Sequence, residues 1–69
     1  MTSAEAKAAF KEGEPVVYKD VEYQKISAII YRTGQKGMYI QAELLDEAGR
    51  SVTVAYPQHI TIKKEDTNG

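Results

Sequence analysis

Cysteine is absent from this chain of 69 residues, and histidine occurs once. The first absence excludes disulfides and thiolate zinc sites. The second excludes a multi-histidine metal centre within one copy. Long apolar runs are also missing. None approaches the roughly 18 residues of a membrane span, and the opening "MTSAEAKAAF" lacks the apolar centre of a signal peptide. Neither sign of charge dominates: nine Lys and Arg stand against ten Asp and Glu, a formal net charge of -1. That is an ordinary mixed surface, without the basic excess expected of a nucleic-acid binder. The expectation is a cytoplasmic protein with no metal, no cofactor and no membrane partner.

A chain this short forms one domain and buries only about 60% of its unfolded surface. With no disulfide or metal to help, apolar packing must stabilise it. The pattern predicts a helix over about residues 2–12, a β unit over about 15–62, and a flexible polar tail over 63–69. Thr2 followed by Glu5 fits a capping box. Gly13 suits the left-handed residue that closes a helix, and Pro15 prevents its continuation. A helix this short does not persist alone in water. It must dock, and Phe10 is its only large apolar side chain.

Beyond Pro15 the period becomes two. "VVY" and "VEY" flank Lys19-Asp20, which predicts a two-residue hairpin with Tyr18 opposite Val21 and Val16 opposite Tyr23. After Tyr23 the alternation shifts onto Ile26, Ala28 and Ile30, so a bulge is expected near Gln24–Lys25. "RTGQKGM" then joins two strands. Its Gly-x-Lys-Gly lacks the frame of a phosphate loop and has a strand behind it, where such a loop needs a helix. Ile40, Ala42 and Leu44 alternate, as do Val52, Val54 and Tyr56. The "DEAGR" between them suits a type I turn with Gly49 left-handed, and turn chemistry accounts for the adjacent carboxylates Asp46 and Glu47. Pro57 stops a strand, and "ITI" resumes it. His59 therefore falls in a turn before the last strand.

This order of elements resembles a small five-stranded SH3-like barrel preceded by a short N-terminal α-helix. The rival OB-fold usually places a helix between its third and fourth strands, where this chain has only "DEAGR". The chain is also similar, over roughly residues 4–62, to a group of short phage and prophage reading frames of Gram-positive bacteria. The similarity rests on Gly13-x-Pro15-Val16-x-Tyr18, Val21-x-Tyr23, Ile29-Ile30-Tyr31-Arg32 and "ELLDEAGRSVTVAYP"; Lys19-Asp20 stands where that group has Asn-Gly. The resemblance implies a phage or mobile-element accessory protein in a bacterial cytoplasm and carries over no catalytic residue.

Superimposing the apolar triplets predicts Ile26 opposite Leu44, Ala28 opposite Ala42 and Ile30 opposite Ile40. Leu44 would then face Val52, Ala42 face Val54, and Ile40 face Tyr56. The expected core is Ile26, Ala28, Ile30, Ile40, Ala42, Leu44, Val52, Val54 and Ile60, with Val16 and Tyr23 nearly buried. The same register brings Tyr31, Tyr39 and Pro57 together at one end of the outer face, beside Ile29 and with Arg32 and His59 near. These residues, His59 apart, form the expected binding surface. The helix could cover it through Phe10, or a second copy or a partner protein could. The expected function is a non-enzymatic protein-interaction module, because Ser27 and Ser51 lack a base with an orienting acid and His59 lacks a partner. The alternative is a small-barrel nucleic-acid-binding protein, in which the tyrosines stack on bases and Lys25, Arg32, Lys36 and Arg50 form a local basic patch.

Overall fold

The computed structural model describes residues 1–63. It is mainly β: one helix, α1 (Ser3–Glu12), precedes β1 (Val16–Tyr18), β2 (Val21–Gly34), β3 (Gly37–Asp46), β4 (Val52–Ala55) and β5 (Ile60–Ile62). A 3-10 turn at Pro57–His59 separates β4 from β5. The strands form one antiparallel sheet in the order β4-β3-β2-β1-β5. β4 and β5 are its two edges, so the sheet is open. Lys63 donates its N–H to Pro15 and its side chain pairs with Glu22 at 2.8 Å. The rest of the expected tail, 64–69, lies outside the described residues. Among the described residues, no helix is long and apolar enough to cross a membrane.

Local chemistry sets the ends of α1. The Thr2 hydroxyl accepts from the Glu5 N–H, and the Glu5 carboxylate accepts from the Thr2 N–H. Gly13 closes the helix at φ 70°. The helix does not dock through Phe10, which is 42% exposed. Ala6 and Ala9 are the residues buried against the sheet. Their small side chains let the helix backbone approach closely, and Phe10 lies off the contact.

The Lys19–Asp20 hairpin forms as expected, with Tyr18 opposite Val21 and Val16 opposite Tyr23. Both turn residues take positive φ, 51° and 63°, as a type I′ turn demands. Gln24 is an extra residue in β2, the expected bulge, and Ser27 is a second extra residue. The Ser27 hydroxyl reaches across to the Glu43 carbonyl and carboxylate, at 3.2 and 3.0 Å.

That second bulge moves the register by one. Ile26 still faces Leu44, but Ile29 faces Ala42, Ile30 faces Gln41 and Tyr31 faces Ile40. Ile29 therefore replaces Ile30 on the inner face, and Ala28 and Ile30 are only half-buried on the outer one. β4 is displaced as well. Asp46 and Ser51 close the hairpin through the Asp46 N–H, leaving residues 47–50 as the loop, with Gly49 at φ 72°. That loop is one residue shorter than expected. Thr53 and Ala55 consequently turn inward, and Val52 and Val54 turn out to solvent, 50% and 43% exposed.

The core is Ala6, Ala9, Val16, Ile26, Ile40, Ala42, Leu44, Ala55 and Ile60, with Met1, Tyr18, Tyr23 and Ile29 packed against it. Leu44 is fully buried. Leu44→Ala should cost about 2–5 kcal/mol, enough to abolish cooperative melting in so small a domain. Val54→Ala and Phe10→Ala should each cost less than about 1 kcal/mol. Urea denaturation followed by circular dichroism checks all three. A costly Val54→Ala would mean that β4 faces inward after all.

Candidate functional site

The five expected site residues do not share one surface. Tyr31 lies opposite Ile40 and Arg32 opposite Tyr39, so Tyr31 and Tyr39 point to opposite faces of the β2–β3 ribbon. Ile29 and Tyr31 are on the face that α1 covers. Ile29 packs on the core, and the Lys7 ammonium stands 5.3 Å from the centre of the Tyr31 ring. Arg32 and Tyr39 are on the opposite, outer face. Pro57 is buried at the start of the 3-10 turn, where its carbonyl accepts from the Met1 nitrogen at 2.9 Å. The side-by-side placement of Tyr31 and Tyr39 is thus overturned by the bulge at Ser27. His59 is exposed in the turn, its N–H bonded to the Tyr56 carbonyl, as expected of a residue entering the last strand.

The partner of Tyr39 is Tyr56. Their ring centres lie 6.1 Å apart at 42°, within the range of favourable tilted aromatic pairs. Tyr39 also lies over Gly34: a Cβ built on that glycine would sit 3.0 Å from the Tyr39 Cε1 atom. The ring fills the space that a side chain at 34 would occupy. Next to it the Arg32 Nε–H donates to Gln41 Oε1, so the guanidinium is held along the outer face. Farther along this face come Ile30, half-buried, and the exposed Val54 and Val52. Only Glu43 among the strand residues of that stretch brings a carboxylate, and Ser27 engages it. The outer face of β2, β3 and β4 is therefore largely apolar, with an aromatic pair and an arginine at one end.

Tyr56 escaped the sequence reading because a five-residue "DEAGR" loop would turn it inward. The signal that could have shown it is Asp46. Its carboxylate accepts from the Arg50 N–H at 2.8 Å and from the Ser51 hydroxyl at 2.9 Å. An aspartate in this local capping role pulls Ser51 into pairing position and shortens the loop. The basic residues also divide into two groups. Arg32 and Lys36 lie at the β2–β3 turn, whereas Lys25 pairs opposite Leu45 and Arg50 sits in the β3–β4 loop, at the other end of the ribbon.

Comparison of the chain with protein-family models, curated proteins and solved structures gave no match.

Two predictions follow from this geometry. Gly34→Ala should displace the Tyr39 ring by a few tenths of an ångström and weaken its contact with Tyr56, read as reduced ring-to-ring nuclear Overhauser effects while the core signals persist. The second concerns Asp46, whose pKa is lowered by the Arg50 N–H first and the Ser51 hydroxyl next. A lowered folded-state value means that the carboxylate stabilises the fold above its unfolded pKa and ceases to as pH falls through the folded one. Asp46→Asn should flatten the loss of melting temperature on acidification below the ordinary aspartate range, with little change in that slope near neutrality.

Proposed function

We propose that this chain is a non-enzymatic protein-interaction module, docking a partner protein on the outer face of β2, β3 and β4. The observation that carries this reading is the composition of that face. Tyr39, Tyr56, Val52 and Val54 are all more than a third exposed, on the side of the sheet opposite α1. Exposed aromatics within an apolar patch suit a protein interface, where ring area is buried at little entropic cost. The fold is read as a partly open SH3-like barrel. The strand order and the 3-10 turn before β5 support that reading, although β4 and β5 are not paired. The cytoplasmic, phage-type accessory role rests on the sequence resemblance alone.

The test uses the purified chain as bait in a lysate of a Gram-positive host, in parallel with Tyr56→Ser/Val54→Ser and with Glu12→Gln as a control on α1. A protein captured by the wild type and the control, but lost at least tenfold with the outer-face variant, supports the reading. Wild type and outer-face variant should show the same far-ultraviolet spectrum. Sedimentation of the bait alone separates a second copy from a different partner. Equal capture by all three baits would refute the assignment of this face.

A further inference from the structure

The β2–β3 ribbon outruns its neighbours on both sides. β1 pairs with β2 only over Val21–Tyr23, and β4 pairs with β3 only over Ala42–Leu45. From Tyr31 to Tyr39 the two strands pair only with each other, through Tyr31–Ile40, Arg32–Tyr39, Thr33–Met38 and Gly34–Gly37. Every residue from 31 to 39 is exposed. The result is a two-stranded arm, closed by a tight turn at Gln35–Lys36 with Gly37 at φ 114°.

The charge of this arm differs from that of the chain. Residues 26–42 include Arg32 and Lys36 and no carboxylate. Lys7 adds a third cation at the base of the arm, over the Tyr31 ring. Because Tyr31 and Arg32 occupy opposite faces, cations stand on both sides of the ribbon. Among the described residues, Glu43 follows just beyond this stretch, opposite Ala28 and engaged by the Ser27 hydroxyl, and the other carboxylates lie elsewhere. Glu5, Glu12 and Glu14 flank the groove between α1 and β5, Asp20 and Glu22 lie at the β1–β2 hairpin, and Asp46 and Glu47 at the β3–β4 hairpin. A net charge of -1 therefore conceals a cationic end, and local field rather than net charge governs contact with a polyanion. Met38, 70% exposed and paired with Thr33 beside the turn, gives the Tyr31 face of the arm an apolar side chain.

We propose that the β2–β3 arm binds duplex DNA. A two-stranded ribbon has the width that the major groove admits. Cations on its two faces meet the phosphates of the two groove walls, the turn at Gln35–Lys36 reaches toward the floor, and Met38 adds an apolar contact beside it. Three phosphate contacts give weak, strongly salt-dependent binding with little sequence preference. This site uses Lys7, Arg32, Lys36 and Met38; it adjoins the protein interface at Arg32 and Tyr39 but uses neither Tyr56 nor Val54.

Fluorescence anisotropy of a labelled random-sequence duplex of ~20 base pairs tests the proposal at low salt. The full chain should bind saturably. The slope of log affinity against log salt should be about -2.7 for three phosphates at about -0.9 each. Arg32→Gln/Lys36→Gln should weaken binding at least tenfold and reduce the slope by about two contacts, with an unchanged thermal melt. Met38→Ser should weaken binding with the slope retained. Tyr56→Ser/Val54→Ser should bind DNA as the wild type does, so failure of the protein-interface reading and failure of this one are distinguishable. No binding at low salt, equal binding by the Arg32/Lys36 variant, or equally tight binding to heparin or single-stranded DNA would overturn the proposal.

Discussion

The bulge at Ser27 determines which face carries each side chain in the distal half of β2. One extra residue, held in place by a hydroxyl that donates to Glu43 across the strand pair, shifts the pairing by one. Side chains alternate strictly along a strand, so a shift of one exchanges the two faces. Ile29 goes to the core, Ile30 to the outer face, and the two tyrosines of the ribbon part. A bulge also adds local twist and bend. Two of them within a few residues of β2 let a single strand serve the three-residue β1 at one end and the free-standing arm at the other.

Much of the architecture is legible where the chemistry is local. The capping box of Thr2 and Glu5, the left-handed Gly13, the primed turn at Lys19-Asp20, the bulge at Gln24 and the interruption at Pro57 each depend on neighbours a few residues away. The register is different. Ile29 and Ile30 are adjacent and equally apolar, so parity alone cannot choose between them, and the choice falls to the Ser27–Glu43 contact between strands. The same ambiguity misleads at β4. In "VTVAY" the larger residues alternate as a core series would, yet Thr53 and Ala55 point inward. Small side chains suffice there because Ala42, Ala55, Ala6 and Ala9 bring backbones together without needing bulk.

That preference for alanine also bears on which face of the sheet is covered. A large anchor at Phe10 would hold the helix away from the sheet. Alanine contacts draw it close on the inner face, and the outer face is left without cover by any described element. The result is a sheet with unequal sides. One is sealed by α1, and the other presents valines and a tyrosine pair whose exposure costs solvation unless something binds there. The arm beyond is a further departure from a minimal core. Its strands contribute no fully buried side chain between Tyr31 and Tyr39, so its length does not serve packing.

The pairing of β1 with β5 bears on the order of folding. Each of the other strand pairs joins neighbours along the chain across a short turn, and such contacts close quickly. β5 must instead return to a strand near the beginning, and the Met1 nitrogen meets the Ile60 carbonyl from 59 positions away. The meander of β1 to β4 can assemble through local steps, but its core lacks the fully buried Ile60 until the last strand arrives. Completion of the core is therefore a late, entropically costly closure, and the docking of Ile60–Ile62 governs how long that apolar surface is exposed to other chains.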